Sequence, residues 1–251
     1  MKIITIGALK GGVGKTTFIF NLAGYIAKDN KKVLLIDLDP QANLTVSFKL
    51  KTNNANSAEL FNGKVLINQT RYKDIDIISS NIKLEALNRT LIQVVASEKI
   101  LYKYFKSFKN QEFLNYDYVI IDTSPSLSLI NLNAFAVADS IVLVSDWSLY
   151  SLDALRYLIP IWETNARDLE IRNNFKAIIL NNIKHYKMSQ DFIEAIKQTP
   201  FHEYLVLPPI KNKSAYVKAQ LIGEPVAFNN LINKKTNYPE LIKSLIIKGV
   251  M

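Results

Sequence analysis

The sequence predicts an α/β fold in which a mostly parallel sheet of seven to eight strands carries helices on both faces. Short apolar runs alternate along the chain with longer stretches of helical spacing, which is the order expected for a parallel sheet. Runs such as Val33–Ile36 and Val119–Ile121 are apolar at every position, as strands buried on both faces require. A chain of 251 residues with 49% hydrophobic residues can bury one large core, so we expect a single domain over residues 1–251.

Seven segments are predicted as strands and six as helices. The strands are Ile3–Ala8, Val33–Asp37, Ile75–Ser79, Tyr118–Asp122, Ser140–Ser145, Ala177–Asn181 and Tyr204–Leu207. The helices are Thr16–Lys28, Ser97–Phe108, Leu129–Ala138, Ser151–Asn165, Gln190–Lys197 and Pro239–Ile247. The polar stretches Lys49–Asn56 and Ile210–Ser214 predict exposed loops.

The composition excludes several classes of protein. The chain contains no cysteine, so disulfides, thiolate zinc sites, iron–sulfur clusters and cysteine nucleophiles are absent. No run approaches the roughly 18 apolar residues of a membrane span, and a secretory signal does not precede the first strand. We therefore expect a cytoplasmic protein.

Positive charge is concentrated in the C-terminal part of the chain. The formal net charge is +9, and residues 156–251 hold 14 Lys and Arg against 8 Asp and Glu. Such a bias is typical of a protein with a polyanionic partner, because neutralised phosphates release counterions. Lysine-rich surfaces also follow from an AT-rich genome, so charge alone leaves both explanations open.

A glycine-rich loop between the first strand and the first helix predicts a phosphate-binding site. Glycine lets backbone N–H groups turn towards phosphate oxygens, and the helix start adds partial positive charge. Lys15 is placed to reach the β- and γ-phosphates of a nucleotide, and the Thr16 hydroxyl to bind Mg²⁺. The alternative is a glycine turn that only links strand and helix. The predicted binding residues for ATP are Gly11, Gly12, Val13, Gly14, Lys15, Thr16 and Thr17.

The loop departs from the general phosphate-loop template in a specific way. That template places glycine where this chain has Leu9, and Lys10-Gly-Gly-Val-Gly-Lys15-Thr stands instead. This deviant Walker A form resembles the ParA/MinD branch of the P-loop ATPases. The resemblance implies a P-loop NTPase fold and an ATP-bound sandwich homodimer. It further implies that Lys10 acts on the nucleotide of the second subunit, with Gly12 near the subunit contact.

Two carboxylates follow the second strand. Asp37 and Asp39 are two residues apart, so both can face one bound ion or water while the chain is extended. The alternative is a pair of strand-end carboxylates that bind lysines. The run from Asp37 through Pro40 to Gln41 is similar to switch I of ParA and Soj proteins. This resemblance implies that Asp37 helps to hold the Mg²⁺ shell and that Asp39 positions or activates water.

Weaker matches lie further along the chain. Asp122 ends a buried strand, as a Walker B carboxylate bound to Mg²⁺ through water does. The segment after it resembles switch II of ParA, although Ser124 and Ser128 depart from that pattern. In relatives, the positions of Asn181 and Pro208 contact adenine, although both residues are equally typical of turns.

The resemblance to ParA and Soj implies a DNA-partitioning ATPase. ATP would drive dimerisation, the dimer would bind DNA without sequence preference, and a small centromere-binding, ParB-like protein would stimulate hydrolysis. Such a protein would be associated with the nucleoid. Because the chain starts at the phosphate-loop strand, we expect no N-terminal helix-turn-helix region. The candidate DNA contacts are Lys184, Lys187, Lys211, Lys213 and Lys218.

Two alternatives remain open from the sequence. Residues 241–251 mix apolar residues with lysines, which fits a MinD-like ATPase positioned on a membrane surface. The preceding Tyr238-Pro239-Glu240 instead indicates the start of a final packed helix, so we expect no membrane partner. The other alternative is a nucleotide-sensing switch without turnover.

Overall fold

The computed structural model describes residues 1–53, 57–107, 111–183, 186–233 and 236–251. The strands are β1 Lys2–Gly7, β2 Val33–Leu38, β3 Asn68–Gln69, β4 Ile75–Ile78, β5 Tyr118–Thr123, β6 Ser140–Ser145, β7 Phe175–Leu180 and β8 Leu205–Val206. The helices are α1 Lys15–Lys28, α2 Asn43–Ser47, α3 Lys83–Leu91, α4 Ile100–Lys106, α5 Leu129–Val137, α6 Leu149–Asp168, α7 Tyr186–Lys197, α8 Ser214–Ile222, α9 Asn230–Asn233 and α10 Tyr238–Ile247.

These strands form one sheet of eight in the order β3-β4-β2-β5-β1-β6-β7-β8. All neighbours are parallel except β3, a two-residue edge strand that runs antiparallel to β4. The predicted α/β class and mostly parallel sheet are therefore confirmed. The glycine loop follows β1, which lies between β5 and β6 in the interior of the sheet.

Each central strand contributes side chains to both faces of the sheet. In β1, Ile4 and Ile6 join the core packed by α1, α8 and α10, whereas Ile3 joins the core on the opposite face. In β5, Ile120 belongs to the first core, and Val119 and Ile121 belong to the second. This alternation follows from the two-residue period of a strand and explains why the runs are apolar throughout.

Some segments differ from the prediction. β3 and the helices α2, α3, α8 and α9 were not predicted, and the expected loop over 210–214 does not hold as a whole. Ile210 is 1% exposed, and Ser214 is the first residue of α8. Apolar packing of Ile210 against the core therefore outweighs the polar character of its neighbours. Asn54–Asn56 of the other predicted loop lie outside the described residues.

The predicted helix over 97–108 is divided. Ser97–Lys99 form a 3₁₀ turn, α4 follows, and Phe108 lies outside the described residues. The buried Asn133 side chain accepts a hydrogen bond from the Leu101 amide at 3.0 Å and donates one to the Ser97 carbonyl at 2.6 Å. These tertiary bonds hold the irregular turn, and local spacing cannot reveal them.

Candidate nucleotide-binding site

The carboxyl ends of the central strands border a cleft of about 560 Å³. Residues 10–17 of the glycine loop form one wall, Asp39 and Gln41 lie after β2, and Val217 and Gln220 extend from α8. Ligands of open parallel sheets bind at this edge. The cleft brings together segments that are distant in the sequence.

The loop backbone has the shape that its glycines permit. Gly12 has φ 77° and Gly14 has φ 87°, both in the left-handed region that favours glycine. Gly14 caps α1, and its carbonyl accepts the first helical bond from the Phe18 amide at 2.9 Å. A Cβ atom on Gly12 would meet nothing within 4 Å, so the loop has open space on that side. This open concave backbone fits a phosphate chain.

Lys15 and Thr16 both contact Asp122. The Lys15 ammonium donates to Asp122 Oδ1, and Thr16 Oγ1 donates to Asp122 Oδ2 at 2.8 Å. Lys15 is 6% exposed and Asp122 is fully buried. Burial raises the pKa of Asp122, and the Lys15 charge together with the Lys15 and Thr16 hydrogen bonds opposes that rise. The lysine and the hydroxyl of the glycine loop thus meet at one buried carboxylate.

Asp37 lies beside Asp122 on the neighbouring strand. The two residues are register partners of β2 and β5. Asp37 accepts hydrogen bonds from the Thr45 amide at 2.9 Å, the Thr45 hydroxyl at 2.7 Å and the Asp39 amide at 3.1 Å. Burial and the Asp122 charge raise the pKa of Asp37 to about 7, against these hydrogen bonds. Two adjacent buried carboxylates of this kind favour a bound cation.

Asp39 is fixed through its own backbone. Its carbonyl accepts a hydrogen bond from the Ser80 hydroxyl at 2.6 Å, and its Oδ1 accepts one from the Gln41 amide at 2.9 Å. The Ser80 amide in turn donates to Thr45 Oγ1 at 3.0 Å, which links this segment to Asp37. Asp39 lines the same cleft as the glycine loop.

Lys10 is paired within the chain. Its ammonium lies 2.6 Å from Asp146 Oδ2 and 3.0 Å from Ser148 Oγ. Ser148 caps α6, and the Asp146 carboxylate also accepts hydrogen bonds from the Ser148 and Ser151 hydroxyls. Partial burial acts to raise the pKa of Asp146, but the bonds from Lys10, Ser151 and Ser148 outweigh it and lower the pKa to about 2. Asp146 was not predicted as a site residue.

Gln220 is a second residue that the sequence analysis did not identify. Its Oε1 accepts a hydrogen bond from Thr17 Oγ1 at 2.8 Å, and its Nε2 donates to Ser47 Oγ at 3.1 Å. One side chain of α8 therefore joins the glycine loop to α2, just after the two strand-end acids. Gln220 lies 203 residues from Thr17, and no local motif indicates their contact.

Asn181, the residue after β7, is hydrogen-bonded to the glycine loop. Its Nδ2 donates to the Val13 carbonyl at 2.8 Å, and a Cβ atom on Gly14 would lie 2.1 Å from that nitrogen. Pro208 follows β8 and is half-buried. Neither residue borders the cleft beside the glycine loop, so their contacts with adenine stay predictions.

The lysines predicted to contact DNA are distributed around α8 and the region before it. Lys211 and Lys218 are exposed, and Lys213 is half-exposed just before α8. Lys187 belongs to α7, and Lys184 lies outside the described residues.

The oxygen atoms near the glycine loop fit a magnesium ion. Mg²⁺ binds few protein groups, prefers carboxylate and hydroxyl oxygens, and completes its shell with water and substrate phosphates. Thr16 Oγ1 and Asp122 Oδ2 are already 2.8 Å apart, and Asp37 lies on the adjacent strand. These residues are the ones that would hold the ion.

The fold and this site define a nucleotide-binding protein of the phosphate-loop class. The AAA domain family AAA_31 matches residues 1–177, and the chain belongs to this family. It is a P-loop ATPase of the ParA/Soj type, as the deviant loop predicts.

Known proteins match along most or part of the chain. The uncharacterized protein MJECL24 of Methanocaldococcus jannaschii is 30% identical over 243 residues, which are 90% of each chain. The sporulation initiation inhibitor protein Soj of Bacillus subtilis is 34% identical over 167 residues. That match covers 63% of this chain and 63% of Soj, so it spans less than two thirds of that relative.

Solved structures share the fold at lower identity. Apo McdA from Cyanothece has a TM-score of 0.84 at 23% identity, with 99% of each chain covered. A plasmid partition protein from Borrelia burgdorferi bound to AMPPNP has a TM-score of 0.78 at 23% identity, covering 98% of this chain and 99% of that one. Cobyrinic acid a,c-diamide synthase from Mycobacterium smegmatis, bound to an ATP analogue and magnesium, has a TM-score of 0.74 at 20% identity, covering 85% and 86%.

Proposed function

We propose that the chain is a DNA-partitioning ATPase that hydrolyses Mg·ATP, dimerises in the ATP state and binds DNA without sequence preference. A small ParB-like, centromere-binding protein stimulates its turnover, and the protein works in the cytoplasm on the nucleoid. Two observations support the proposal in general terms: the chain is of the ParA/Soj type, and a plasmid partition protein shares its fold. The ATP analogue and magnesium in structures of this fold support Mg·ATP as the ligand.

The observation that carries the ATPase assignment is the meeting of Lys15 and Thr16 on Asp122. Phosphate oxygens compete with Asp122 for the Lys15 ammonium. The ammonium binds a multiply charged phosphate more strongly than it binds a single carboxylate. Thr16, Asp37 and Asp122 hold Mg²⁺, which neutralises developing charge on the phosphates. The backbone of Gly11–Gly14 and the Thr17 hydroxyl bind the remaining phosphate oxygens.

Asp39 is the residue that we propose for the attacking water. It lines the cleft beside the loop, and its carbonyl bond to Ser80 fixes the segment that carries it. A carboxylate in this position orients the water and accepts its proton. Lys10 acts on the second subunit's nucleotide, where its positive charge stabilises the transition state.

The test compares ATP hydrolysis and DNA retardation, with ATP and with ADP, in wild type and two variants. Wild type should retard DNA only with ATP. Lys10→Ala should lose this retardation, because no ATP-dependent dimer forms. Asp39→Ala should keep it without turnover. The exposed Lys83→Ala and Asp153→Ala serve as matched controls and should behave as wild type.

DNA binding without regard to nucleotide would contradict the proposal. So would retardation that is insensitive to salt, since contacts with phosphates release counterions and weaken as salt rises. ATP binding without turnover, even with DNA and the partner present, would support a nucleotide-sensing switch instead.

The C-terminal segment supports the proposed function in DNA partition over a MinD-like role on a membrane. Leu241, Leu245 and Val250 are at most 1% exposed. These apolar side chains of α10 and of the segment after it therefore pack in the core. Among the apolar side chains of this segment, Ile246 and Ile247 are exposed, at 55% and 85%. Across the described parts of the chain, no helix combines the length and apolar character that a membrane span needs. ATP-dependent liposome binding that is lost on removing residues 240–251 would reverse this preference.

A further inference from the structure

A second cavity lies at the amino-terminal edge of the sheet, opposite the nucleotide cleft. Its volume is about 450 Å³. Four cationic side chains from separate segments line it: Lys2 in β1, Lys106 at the end of α4, Arg172 before β7 and Lys176 within β7. We call this feature the basic cavity. None of the motifs in the sequence predicts it, because the four residues meet only in the folded chain.

Hydrogen bonds between neighbouring segments hold the walls of the basic cavity. The Ile3 amide donates to Asp139 Oδ2 at 2.8 Å, and the Asp139 amide donates to the Ile3 carbonyl at 2.8 Å. The Asn174 side chain donates to the Ala138 carbonyl at 2.5 Å, and the Asn174 carbonyl accepts from the Ile141 amide at 2.7 Å. The cavity is thus preformed by the sheet and the loops that enter it. A preformed site spends little free energy on ordering when a ligand binds.

The positive charge of the basic cavity is not balanced within the described parts of the chain. There, no carboxylate lies within 4 Å of any of the four cationic groups. The Lys2 ammonium donates to the Gly249 carbonyl at 2.7 Å, and the Lys106 ammonium lies 5.8 Å from the centre of the Tyr102 ring. The one acid that lines the cavity, Asp139, accepts the Ile3 amide.

Four like charges around a concave surface repel one another and focus a positive potential into the cavity. A bound anion relieves that repulsion, and the planar guanidinium of Arg172 suits the paired oxygens of a phosphate. With Asp139 counted, the lining carries an excess of three positive charges, which matches a ligand with more than one phosphate group. Four cations grouped around one concave space of about 450 Å³ suit a compact ligand better than duplex DNA, whose backbone runs along an extended basic surface.

We propose that the basic cavity binds a compact anion with at least two phosphate groups. An inorganic polyphosphate and a nucleoside polyphosphate share this chemistry. The site is separate from the nucleotide cleft, since β1 begins at Lys2 in the basic cavity and ends before the glycine loop at the other edge. It does not depend on ATP hydrolysis or on the proposed role in DNA partition.

The test is isothermal titration of sodium tripolyphosphate into the full chain. Arg172→Gln combined with Lys176→Gln should weaken binding by about tenfold or more, because two charge-assisted hydrogen bonds are lost. Arg89→Gln combined with Lys243→Gln removes the same charge from exposed positions and should bind as wild type does. Lys15→Gln impairs the glycine loop and should leave this binding component unchanged.

Titration of ADP into Lys15→Gln separates the two sources of the ligand. If ADP binds and this binding depends on Arg172 and Lys176, the ligand is a nucleoside polyphosphate. If tripolyphosphate binds and ADP does not, the ligand is an inorganic polyphosphate. Equal tripolyphosphate affinity in wild type and the Arg172→Gln, Lys176→Gln variant would overturn the proposal. It would also be overturned if that variant lost DNA retardation while wild type bound no tripolyphosphate, since the cavity would then belong to a DNA interface.

Discussion

Lys10 and Asp146 form an ion pair of 2.6 Å that joins the glycine loop to the start of α6. The Lys10 side chain is 39% exposed and that of Asp146 is 16% exposed. Asp146 is therefore the more fixed partner, held also by Ser148 and Ser151. If Lys10 acts on the nucleotide of a second subunit, Asp146 competes with that nucleotide for the same ammonium. The pair opposes dimerisation by the free energy needed to separate it.

Asp146→Asn should therefore strengthen ATP-dependent dimerisation. A partly exposed ion pair contributes about 1 kcal/mol or less, and each homodimer separates two such pairs. The dimer dissociation constant should therefore fall by up to about thirtyfold. Asparagine can still accept the serine hydrogen bonds, which preserves the start of α6. Sedimentation equilibrium with a non-hydrolysable ATP analogue measures the change, and Asp153→Asn, at an exposed position of α6, is the control. Weaker dimerisation in Asp146→Asn would show that Asp146 supports the dimer instead.

Gly14→Ala should destabilise the chain and abolish nucleotide binding. Alanine at φ 87° is strained, and its Cβ would lie 2.1 Å from Asn181 Nδ2. We expect a loss of at least about 2 kcal/mol in the free energy of unfolding. Gly12→Ala has a similar φ but open space around its Cβ, so it should cost only about 1 kcal/mol. Urea unfolding compares the two variants, and equal losses would contradict the packing argument.

The pH dependence of stability should report on Asp37. Burial and the Asp122 charge raise its pKa to about 7 from 3.8. Between these values the folded chain keeps a proton that the unfolded chain has released, so the free energy of unfolding falls as pH rises. The fall is at most about 4 kcal/mol. Urea unfolding at several pH values between 4.5 and 6.5 measures it.

Asp37→Asn is the control for this pH dependence, because asparagine resembles the protonated acid at every pH. Its slope should be smaller than that of wild type, with the raised pKa of Asp122 accounting for what remains. The lowered pKa of Asp146, about 2, stabilises the fold above the unfolded pKa and is lost only in stronger acid. The Asp146 carboxyl therefore leaves the free energy of unfolding almost unchanged over the pH range of the measurement. Identical slopes in wild type and Asp37→Asn would assign the titration to another group.

Gln220→Leu should loosen the connection between the glycine loop and α2. The hydroxyls of Thr17 and Ser47 would both lose a hydrogen-bond partner, at a cost of about 1–2 kcal/mol in the free energy of unfolding. Amide hydrogen exchange over α2 should become faster. The exposed Gln198→Leu makes the same chemical change elsewhere and should alter neither quantity. Unchanged exchange over α2 in Gln220→Leu would mean that the side chain only fills space.

The sheet and the principal phosphate-binding loop could be predicted because their signals are local. Val33–Ile36 and Val119–Ile121 show apolar runs of strand length, and Gly11–Thr17 is one continuous motif. β3 could not be predicted, since two polar residues have no measurable period. The burial of Ile210 also has no local cause, because it depends on packing against a core assembled from distant strands.

The same division holds for the candidate site. The acids Asp37, Asp39 and Asp122 could be selected because strand ends meet at one edge of a parallel sheet. Gln220, Asp146 and the four cations of the basic cavity could not. Their significance depends on contacts between segments separated by tens to hundreds of residues, which a single sequence does not encode in any short pattern.

The two outermost strands bear on how this chain associates with itself. β3 and β8 contain only two residues each, so neither outermost strand offers a long row of unpaired backbone groups. Long open margins recruit strands from other molecules and lead to aggregation. A protein proposed to assemble and disassemble with each nucleotide cycle needs its contacts to be reversible. Short outer strands disfavour permanent strand addition, which suits the reversible, ATP-dependent association proposed for this chain.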